Sequence, residues 1–384
     1  MTATRVLISP ALLTWAQQRG GHNTETMRRK FKSWDRWLQG GAQPTVKQAE
    51  ELARFGHVPF GALLLPVPPS ARLPIEDFRV GRGGAAEEPS QNLLDVIHQS
   101  QRRQDWYRDY ADRYGLDRRG FLRGPGNADV DKAAGTLRSE LAFEVVERRG
   151  LPDADAARKH LIQQFEFLGG LVVVSSMVGN DTHRILDTEE VRGFTLHDDV
   201  APLVFINAAD TKRGQVFSLA HEFAHVFRGD SGVSAEHENL PANVEVEGWC
   251  NTVASEFLVP AADLRRRFDA EAEMTLELDR LAGVYLCSTL VVLIRLGRLR
   301  LIPESGFDAR YAAEVDRLIE LVKGARHSGG DFYRNQPFRV GETLSRAVIN
   351  DALEGRTPIR DALRLLGFSS VAVMDRYAET LGLR

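Results

Sequence analysis

Two histidines and a glutamate near the middle of the chain have the residue types and the spacing of a metal-dependent hydrolase. Residues 217–228 read FSLAHEFAHVFR and contain His221, Glu222 and His225. On a helix, positions i and i+4 lie one above the other, so both imidazoles point to the same side. Two neutral imidazoles at this separation suit a tetrahedral zinc ion, and Glu222 can take a proton from water. We therefore predict that His221 and His225 bind one zinc ion per chain and that Glu222 is the catalytic base.

A catalytic zinc ion needs a third protein ligand while one position stays open for water. The spacing HExxHxxGxxH would supply a third histidine. This chain has Arg228 and Ser231 where that pattern requires glycine and histidine. That class of metallopeptidase is therefore excluded, and a carboxylate from a following helix is the other solution.

The next predicted helix offers such a carboxylate. Residues 245–260 read EVEGWCNTVASEFLVP, in which Glu247 lies 22 residues after His225 and Asn251 lies one turn further along the same face. We expect Glu247 to be the third ligand and Asn251 to orient a ligand from the second shell. The alternative ligands are two other carboxylates of this helix and a histidine of the preceding loop: Glu245, Glu256 and His237. The candidates for stabilising an oxyanion are Tyr285, His183 and His197.

Strand patterns precede the histidine-bearing helix, and helical patterns dominate the rest of the chain. Residues 171–178, 191–196 and 203–207 are short apolar segments between turn-forming residues, which is typical of strands. If the segment 191–196 lies at the edge of the sheet, it could pair with an extended substrate. The predicted helices after the first 66 residues are 91–114, 133–149, 153–165 and several within 307–384. The fold class is therefore α+β.

The first 66 residues form a small basic unit. They contain nine Lys and Arg against four acids, a net charge of +5, which leaves −9 for the rest of a chain whose total is −4. Five short helices are predicted there, at 10–19, 25–31, 34–39, 46–55 and 59–65, which is compatible with a helix-turn-helix domain. The cations that could contact DNA phosphates or a protein substrate are Arg28, Arg29, Lys30, Lys32 and Arg36. DNA binding and substrate docking both stay open.

The composition of the chain excludes several protein classes, and its linker segments suggest where the domains divide. With 384 residues, 43% of them hydrophobic, the chain can bury a core and is neither disordered nor collagen-like. Two cysteines give no disulfide framework, and neither a signal peptide nor a membrane span is recognisable, so we expect a cytoplasmic protein. The predicted divisions are a helical domain at 1–66, a linker at 67–90, a peptidase domain at 91–304 and a helical region at 305–384.

The two central motifs together resemble those of the ImmA/IrrE family of bacterial metallopeptidases. The resemblance rests on FSLAHEFAHVF followed by the pattern E-x-x-x-N-x-x-A-x-x-F-L-V-P, with the strands VRGFTL and LVFIN ahead of the helix. The segment from residue 43 to 79 resembles the amino-terminal Cro/cI-like (XRE-type) unit of two-domain members. Residues 328–357 resemble their carboxyl-terminal region.

The resemblance implies a fold, a ligand and a class of substrate. It implies a zincin-like domain with a short, mostly antiparallel sheet packed on the HExxH helix, and it assigns the third zinc ligand to Glu247. It also implies a site-specific zinc endopeptidase that cleaves a helix-turn-helix transcriptional repressor and thereby derepresses stress, phage or mobile-element genes.

A competing interpretation is a DNA-binding transcriptional regulator whose peptidase-like domain acts as a sensor or scaffold. The complete set of His221, Glu222, His225 and Glu247 favours the enzyme, because a scaffold has no chemical need for all four side chains.

Overall fold

The computed structural model describes residues 4–69, 73–77, 88–116, 124, 128–234, 245–324 and 331–383. By its internal contacts the chain separates into two compact units. One consists of residues 1–74 and 87–95, and the other of residues 75–86 and 96–384. The helices after residue 305 therefore belong to the same unit as the sheet, while the predicted domain boundaries stay predictions.

The N-terminal unit is helical, with ends set by local capping. Asn23 accepts a hydrogen bond at the start of the second helix, and Thr45 and Gln48 form a reciprocal capping box at the start of the fourth. The indoles of Trp34 and Trp37 are buried in the core of this unit, as expected for so small a domain. The helices are α1 (Pro10–Arg19), α2 (Thr24–Lys30), α3 (Trp34–Leu38) and α4 (Val46–Phe55), followed by a 3-10 helix (Phe60–Leu64).

A second set of helices surrounds the sheet. The helix predicted at 133–149 is wrong in its second half: α6 ends at Glu140, Ala142 has a left-handed backbone (φ +45°), and a separate 3-10 turn follows (Glu147–Gly150). No glycine or proline marks that break in the sequence. The elements are α5 (Gln91–Tyr114), α6 (Val130–Glu140), α7 (Ala154–Phe167), α8 (Lys212–Arg228), α9 (Glu245–Leu258), α10 (Ala261–Arg267), α11 (Met274–Tyr285), α12 (Thr289–Arg298), α13 (Phe307–Gly324), α14 (Phe332–Val340), α15 (Glu342–Leu353), α16 (Ile359–Leu366) and α17 (Val371–Thr380).

The sheet has five strands in the order β1-β5-β3-β4-β2. The strands are β1 (Glu76–Asp77), β2 (Leu171–Ser175), β3 (Gly193–Leu196), β4 (Leu203–Asn207) and β5 (Gly232–Ser234). β2 pairs with β4 and β1 with β5 in parallel, whereas β3 is antiparallel to both of its neighbours. The expectation of a mostly antiparallel sheet is therefore wrong, and the sheet is mixed. The connection from β2 to β3 is long, and these two strands are not neighbours. Strand β4 lies between them, antiparallel to β3 and parallel to β2.

One face of this sheet packs against α8. Val172, Val174, Val204 and Ile206 share a buried cluster with the apolar residues of that helix. Because side chains alternate along a strand, Val173 and Phe205 point to the opposite face. Helix α8 is covered on its other sides by α7 and α9, and all of its residues from Gln215 to Phe227 are buried.

Among the described helices, none taken singly is long and apolar enough to cross a bilayer. The pair α11 and α12 reaches that length and composition only when both are counted together across a bend of 104°.

Candidate metal centre

Helix α8 places the two histidines of the HExxH sequence on one side, in the interior of the protein. Thr211 caps the start of the helix, and its side chain accepts a hydrogen bond from the backbone N–H of Gly214. Gly229 caps the end of the helix: its φ of +83° is a left-handed conformation that favours glycine, and its N–H donates to the carbonyl oxygen of His225. The end of the helix is therefore fixed one turn after the second histidine.

Helix α9 packs against α8 and brings a carboxylate to the two imidazoles. Nε2 of His221 lies 3.2 Å from Oε2 of Glu247, and Nε2 of His225 lies 3.0 Å from Oε1. The two Nε2 atoms are 3.1 Å apart. Three side chains from two helices thus meet at one point, and all three residues are at most 4% exposed.

The separations between these nitrogen and oxygen atoms have the size that a tetrahedral zinc ion requires. With ligand bonds of about 2.0–2.1 Å, tetrahedral angles space the ligand atoms about 3.3 Å apart. The observed separations of 3.0–3.2 Å are close to that value. Apart from the imidazoles, no group among the described residues donates a hydrogen bond to the carboxylate of Glu247. A buried cation between the three side chains would satisfy their nitrogen and carboxylate oxygen atoms, so the donor set fits zinc.

Asn251 lies one turn after Glu247 and orients the first imidazole. Nδ1–H of His221 donates to Oδ1 of Asn251 over 3.0 Å. That bond places the proton on Nδ1 and leaves the lone pair of Nε2 directed at Glu247, as metal binding requires. Asn251 therefore contacts the ring nitrogen of His221 that faces away from Glu247.

Glu222 lies on the adjoining face of α8, against strand β3. Its Oε2 accepts a hydrogen bond of 2.7 Å from the hydroxyl of Thr195, and both side chains are buried. Burial raises the pKa of the Glu222 carboxyl, while the neighbouring imidazoles and the Thr195 hydroxyl oppose that rise. For Glu247, burial also acts to raise the pKa, but the charges and hydrogen bonds of the imidazoles outweigh it and hold the pKa below its ordinary range.

Strand β3 can approach Glu222 closely because of a glycine. A methyl group at Gly193 would lie 2.7 Å from Oε1 of Glu222 and 3.0 Å from the carbonyl oxygen of Phe205. Sequence reasoning missed both Gly193 and Thr195. The signal was present, because a glycine inside a strand indicates a close backbone approach, and Thr195 lies two positions further on the same face.

The remaining alternatives for the third ligand are engaged elsewhere or lie outside the described residues. Glu256 forms a buried ion pair with Arg295 and accepts a hydrogen bond from the backbone of Ala261. Glu245 is exposed at the start of α9, and His237 lies outside the described residues. Of the oxyanion candidates, Tyr285 is fully buried, and its hydroxyl donates to Asp263 over 3.1 Å.

The condition under which residues 191–196 could pair with a substrate, a position at the edge of the sheet, is not met. β3 pairs with β4 on one side and with β5 on the other. The sequence analysis did not predict the three-residue strand β5, which follows α8. A segment with one apolar residue is too short to show the alternating pattern of a strand. An extended substrate therefore has no unpaired edge of β3 to join in this conformation.

Comparison with known families agrees with this geometry. Residues 172–297 match the family model of the M78 peptidases, described as the IrrE N-terminal-like domain. The match supports the ImmA/IrrE peptidase family. The M78 domain spans the strands β2 to β5, the helix α8 and the helix α9, and it implies a protease-like activity that depends on a metal, typically zinc. Residues 340–380 match a domain of unknown function (DUF8813). A comparison with curated proteins found no match.

The five cations predicted to contact DNA or a protein substrate fall into two groups. Arg28 forms an ion pair of 3.0 Å with Asp35, and Lys30 forms one of 2.7 Å with Glu51. Three others are exposed on the same part of the unit: Arg29, Lys32 and Arg36. Helix α3 has only five residues, so the helix that would read DNA bases is short.

Proposed function

We propose that this chain is a site-specific, zinc-dependent endopeptidase whose substrate is a helix-turn-helix transcriptional repressor. The observation that carries the proposal is the meeting of His221, His225 and Glu247 at one buried point, with Glu222 on the adjoining face of the same helix. The match of residues 172–297 to the M78 peptidases supports the reaction class. Cleavage of a repressor would derepress stress, phage or mobile-element genes, and such a substrate belongs to the cytoplasm.

The three ligand side chains hold the metal, and their surroundings keep them in place. Bound zinc supplies Lewis acidity, which activates water as a nucleophile and polarises the scissile carbonyl. Asn251 fixes the ring of His221, so that the donor atom keeps its direction. Glu247 would bind the metal as a carboxylate, since a ligand has to be deprotonated and the cation favours the charged form.

Glu222 acts as the general base and then as the proton donor to the leaving amine. The hydroxyl of Thr195 holds one carboxylate oxygen, which leaves the other to accept the proton of the water nucleophile. The backbone of Gly193 lets this carboxylate stay close to the strand.

Access to this centre requires movement of the protein. His221, Glu222, His225 and Glu247 are between 0 and 4% exposed, and a scissile peptide has to contact at least Glu222 and the metal. We therefore expect a conformational step before cleavage. Such a step would make the enzyme latent until a signal or the cognate substrate opens the site.

The decisive experiment compares the wild type with Glu222→Gln, which keeps the size of the side chain and removes the base. The substrate to test is a small helix-turn-helix repressor encoded by a neighbouring gene. We expect zinc-loaded wild type to cut it at one position and Glu222→Gln to leave it intact while binding the same amount of zinc. Glu245→Gln is the matched control, because Glu245 is exposed on α9 and should leave cleavage unchanged.

Two outcomes would contradict the assignment. Equal fragmentation by wild type and Glu222→Gln would point to a contaminating protease. A wild type that holds one zinc ion and cleaves neither the neighbouring repressor nor a set of unrelated helix-turn-helix repressors would favour the regulator with a sensor or scaffold domain.

The second candidate function, DNA binding by the N-terminal unit, is favoured by the three exposed cations Arg29, Lys32 and Arg36. If they contact phosphates, replacing all three by glutamine should weaken DNA binding and flatten its dependence on salt. If the unit docks the protein substrate instead, the same variant should raise KM for cleavage and leave kcat unchanged. Electrophoretic mobility shifts and cleavage kinetics on one preparation separate the two roles.

A further inference from the structure

A second group of buried polar side chains lies on the face of the sheet away from α8. It surrounds a narrow cleft that encloses about 200 Å³, part of it open to solvent. Helix α5 forms one wall, strands β2 and β4 form the floor, and Arg339 at the end of α14 forms the opposite wall. None of the residues of the metal centre lines this cleft.

Arg103 lines the cleft, and no carboxylate among the described residues neutralises its charge. Its side chain is 3% exposed. Nε donates to the carbonyl oxygen of Leu365 over 3.0 Å, and Nη1 donates to that of Arg339 over 3.4 Å. Within the described part of the chain, Nη2 makes no hydrogen bond and no carboxylate pairs with this guanidinium. Burial lowers the pKa of Arg103 to about 10, and the charge of Arg102 adds to that effect.

Arg339 brings a second guanidinium to the same cleft. Its only side-chain hydrogen bond among the described residues is a long one, 3.4 Å, from Nη1 to Oδ1 of Asn180. Burial lowers the pKa of Arg339 as well. Arg103 and Arg339 thus line one cleft without a carboxylate partner among the described residues, whereas proteins almost always pair buried charges.

Ser100 adds an unpartnered hydroxyl. The residue is 1% exposed, lies one turn before Arg103 on α5 and lines the cleft. Its Oγ has no hydrogen-bond partner in the part of the chain that the structure describes. A buried hydroxyl without a partner costs about 1–3 kcal/mol, so a group that accepts its proton would stabilise this arrangement.

We propose that the cleft between α5, α14 and the sheet binds a small oxyanion, a phosphate or carboxylate group carried by a small molecule. Arg103 and Arg339 supply the positive charge and the N–H donors, and Ser100 supplies an O–H donor. Guanidinium groups match the oxygen atoms of planar carboxylate and tetrahedral phosphate groups, often with two parallel hydrogen bonds. The bound anion neutralises both arginines at once.

The cleft is narrow in its present conformation. Its free space is too narrow for a water-sized sphere, so the anion enters only when a wall side chain moves. The side chain of Arg339 is the one that moves, because it is half-buried and, among the described residues, is held by a single long hydrogen bond. Arg103 stays, since the carbonyl oxygens at the ends of α14 and α16 hold it.

The test is calorimetric titration of the full chain with inorganic phosphate and, separately, with acetate, at constant pH and ionic strength set with chloride. We expect saturable binding of one anion per chain. Arg339→Gln and Ser100→Ala should each weaken it about tenfold, as expected for loss of one charge-assisted hydrogen bond. Arg334→Gln is the matched control: it removes the same charge from the exposed side of the same helix and should bind like the wild type.

The outcomes separate this site from the alternatives. Preferential binding of phosphate or of acetate identifies the group that the natural ligand carries. Absence of saturable binding of both anions overturns the proposal. Binding that persists in Arg339→Gln and Ser100→Ala places the anion elsewhere, for example at the zinc ion, and overturns it too. An equal loss in Arg334→Gln would show a general effect of net charge. Near-ultraviolet circular dichroism checks that each variant is folded.

Discussion

Replacing Gly193 with alanine should displace the carboxylate of Glu222 without touching any of the three metal ligands. Gly193 is not among the residues with a left-handed backbone, so alanine can adopt the same conformation and the effect is purely steric. The added methyl group would lie 2.7 Å from Oε1 of Glu222 and 3.0 Å from the carbonyl oxygen of Phe205. The first contact involves the end of a side chain, which moves more readily than the backbone.

The size of the effect follows from these two distances. To reach an ordinary contact of about 3.5 Å with the new methyl group, the Oε1 atom of Glu222 has to move away by about 0.8 Å. The carbonyl oxygen of Phe205 in β4 has to move away by about 0.5 Å. Overpacking of this kind costs about 1–3 kcal/mol of unfolding free energy. A catalytic group misplaced by nearly 1 Å lowers the rate by about tenfold to a hundredfold. The zinc content should stay at one ion per chain.

Three measurements on one preparation check this prediction: denaturant unfolding, zinc content by mass spectrometry and the rate of repressor cleavage. Gly283→Ala is the control, because a methyl group there meets nothing within 4 Å and alanine favours the helix, so stability should be unchanged or slightly higher. A Gly193→Ala protein that loses stability but cleaves at the wild-type rate would refute the role of the Glu222 position. Loss of zinc would show instead that the metal ligands had moved.

The other predictions concern metal affinity and the pH dependence of stability. Glu247→Gln should weaken zinc binding more than about a hundredfold in a competition assay with a chromogenic chelator, whereas the exposed Glu245→Gln should not, and equal affinities would exclude Glu247 as a ligand. Asn251→Ala should weaken it about tenfold to a hundredfold, because the ring of His221 loses its orienting bond; unchanged affinity would remove Asn251 from the centre. Burial, with the charge of Glu342 adding, raises the pKa of Glu166 to about 8 from an ordinary 4.5. The folded protein therefore holds this proton where the unfolded chain has lost it, and unfolding free energy should fall between pH 4.5 and 8 by up to about 1.4 kcal/mol per pH unit relative to Glu166→Gln. If the unfolding free energies of the wild type and Glu166→Gln, measured with urea, change with pH in the same way, this prediction is contradicted.

Much of the local structure followed from short-range patterns. The helices α1, α4 and α5 begin and end where the sequence predicts them, because capping residues, glycines and prolines act over one turn. The break in α6 at Ala142 could not be predicted, since the residue that adopts the left-handed conformation is neither glycine nor asparagine.

The sequence alone determined which side chains can bind a metal and which side of a helix they share, since the spacing of His221 and His225 fixes both through the geometry of one helix. It also supplied Glu247 as a ligand candidate, but with alternatives. Only the tertiary structure decided how α9 meets α8, that β3 lies inside the sheet, and that Gly193 and Thr195 contact Glu222. These features depend on which strands become neighbours, and such contacts between distant segments have no periodic signature in the chain.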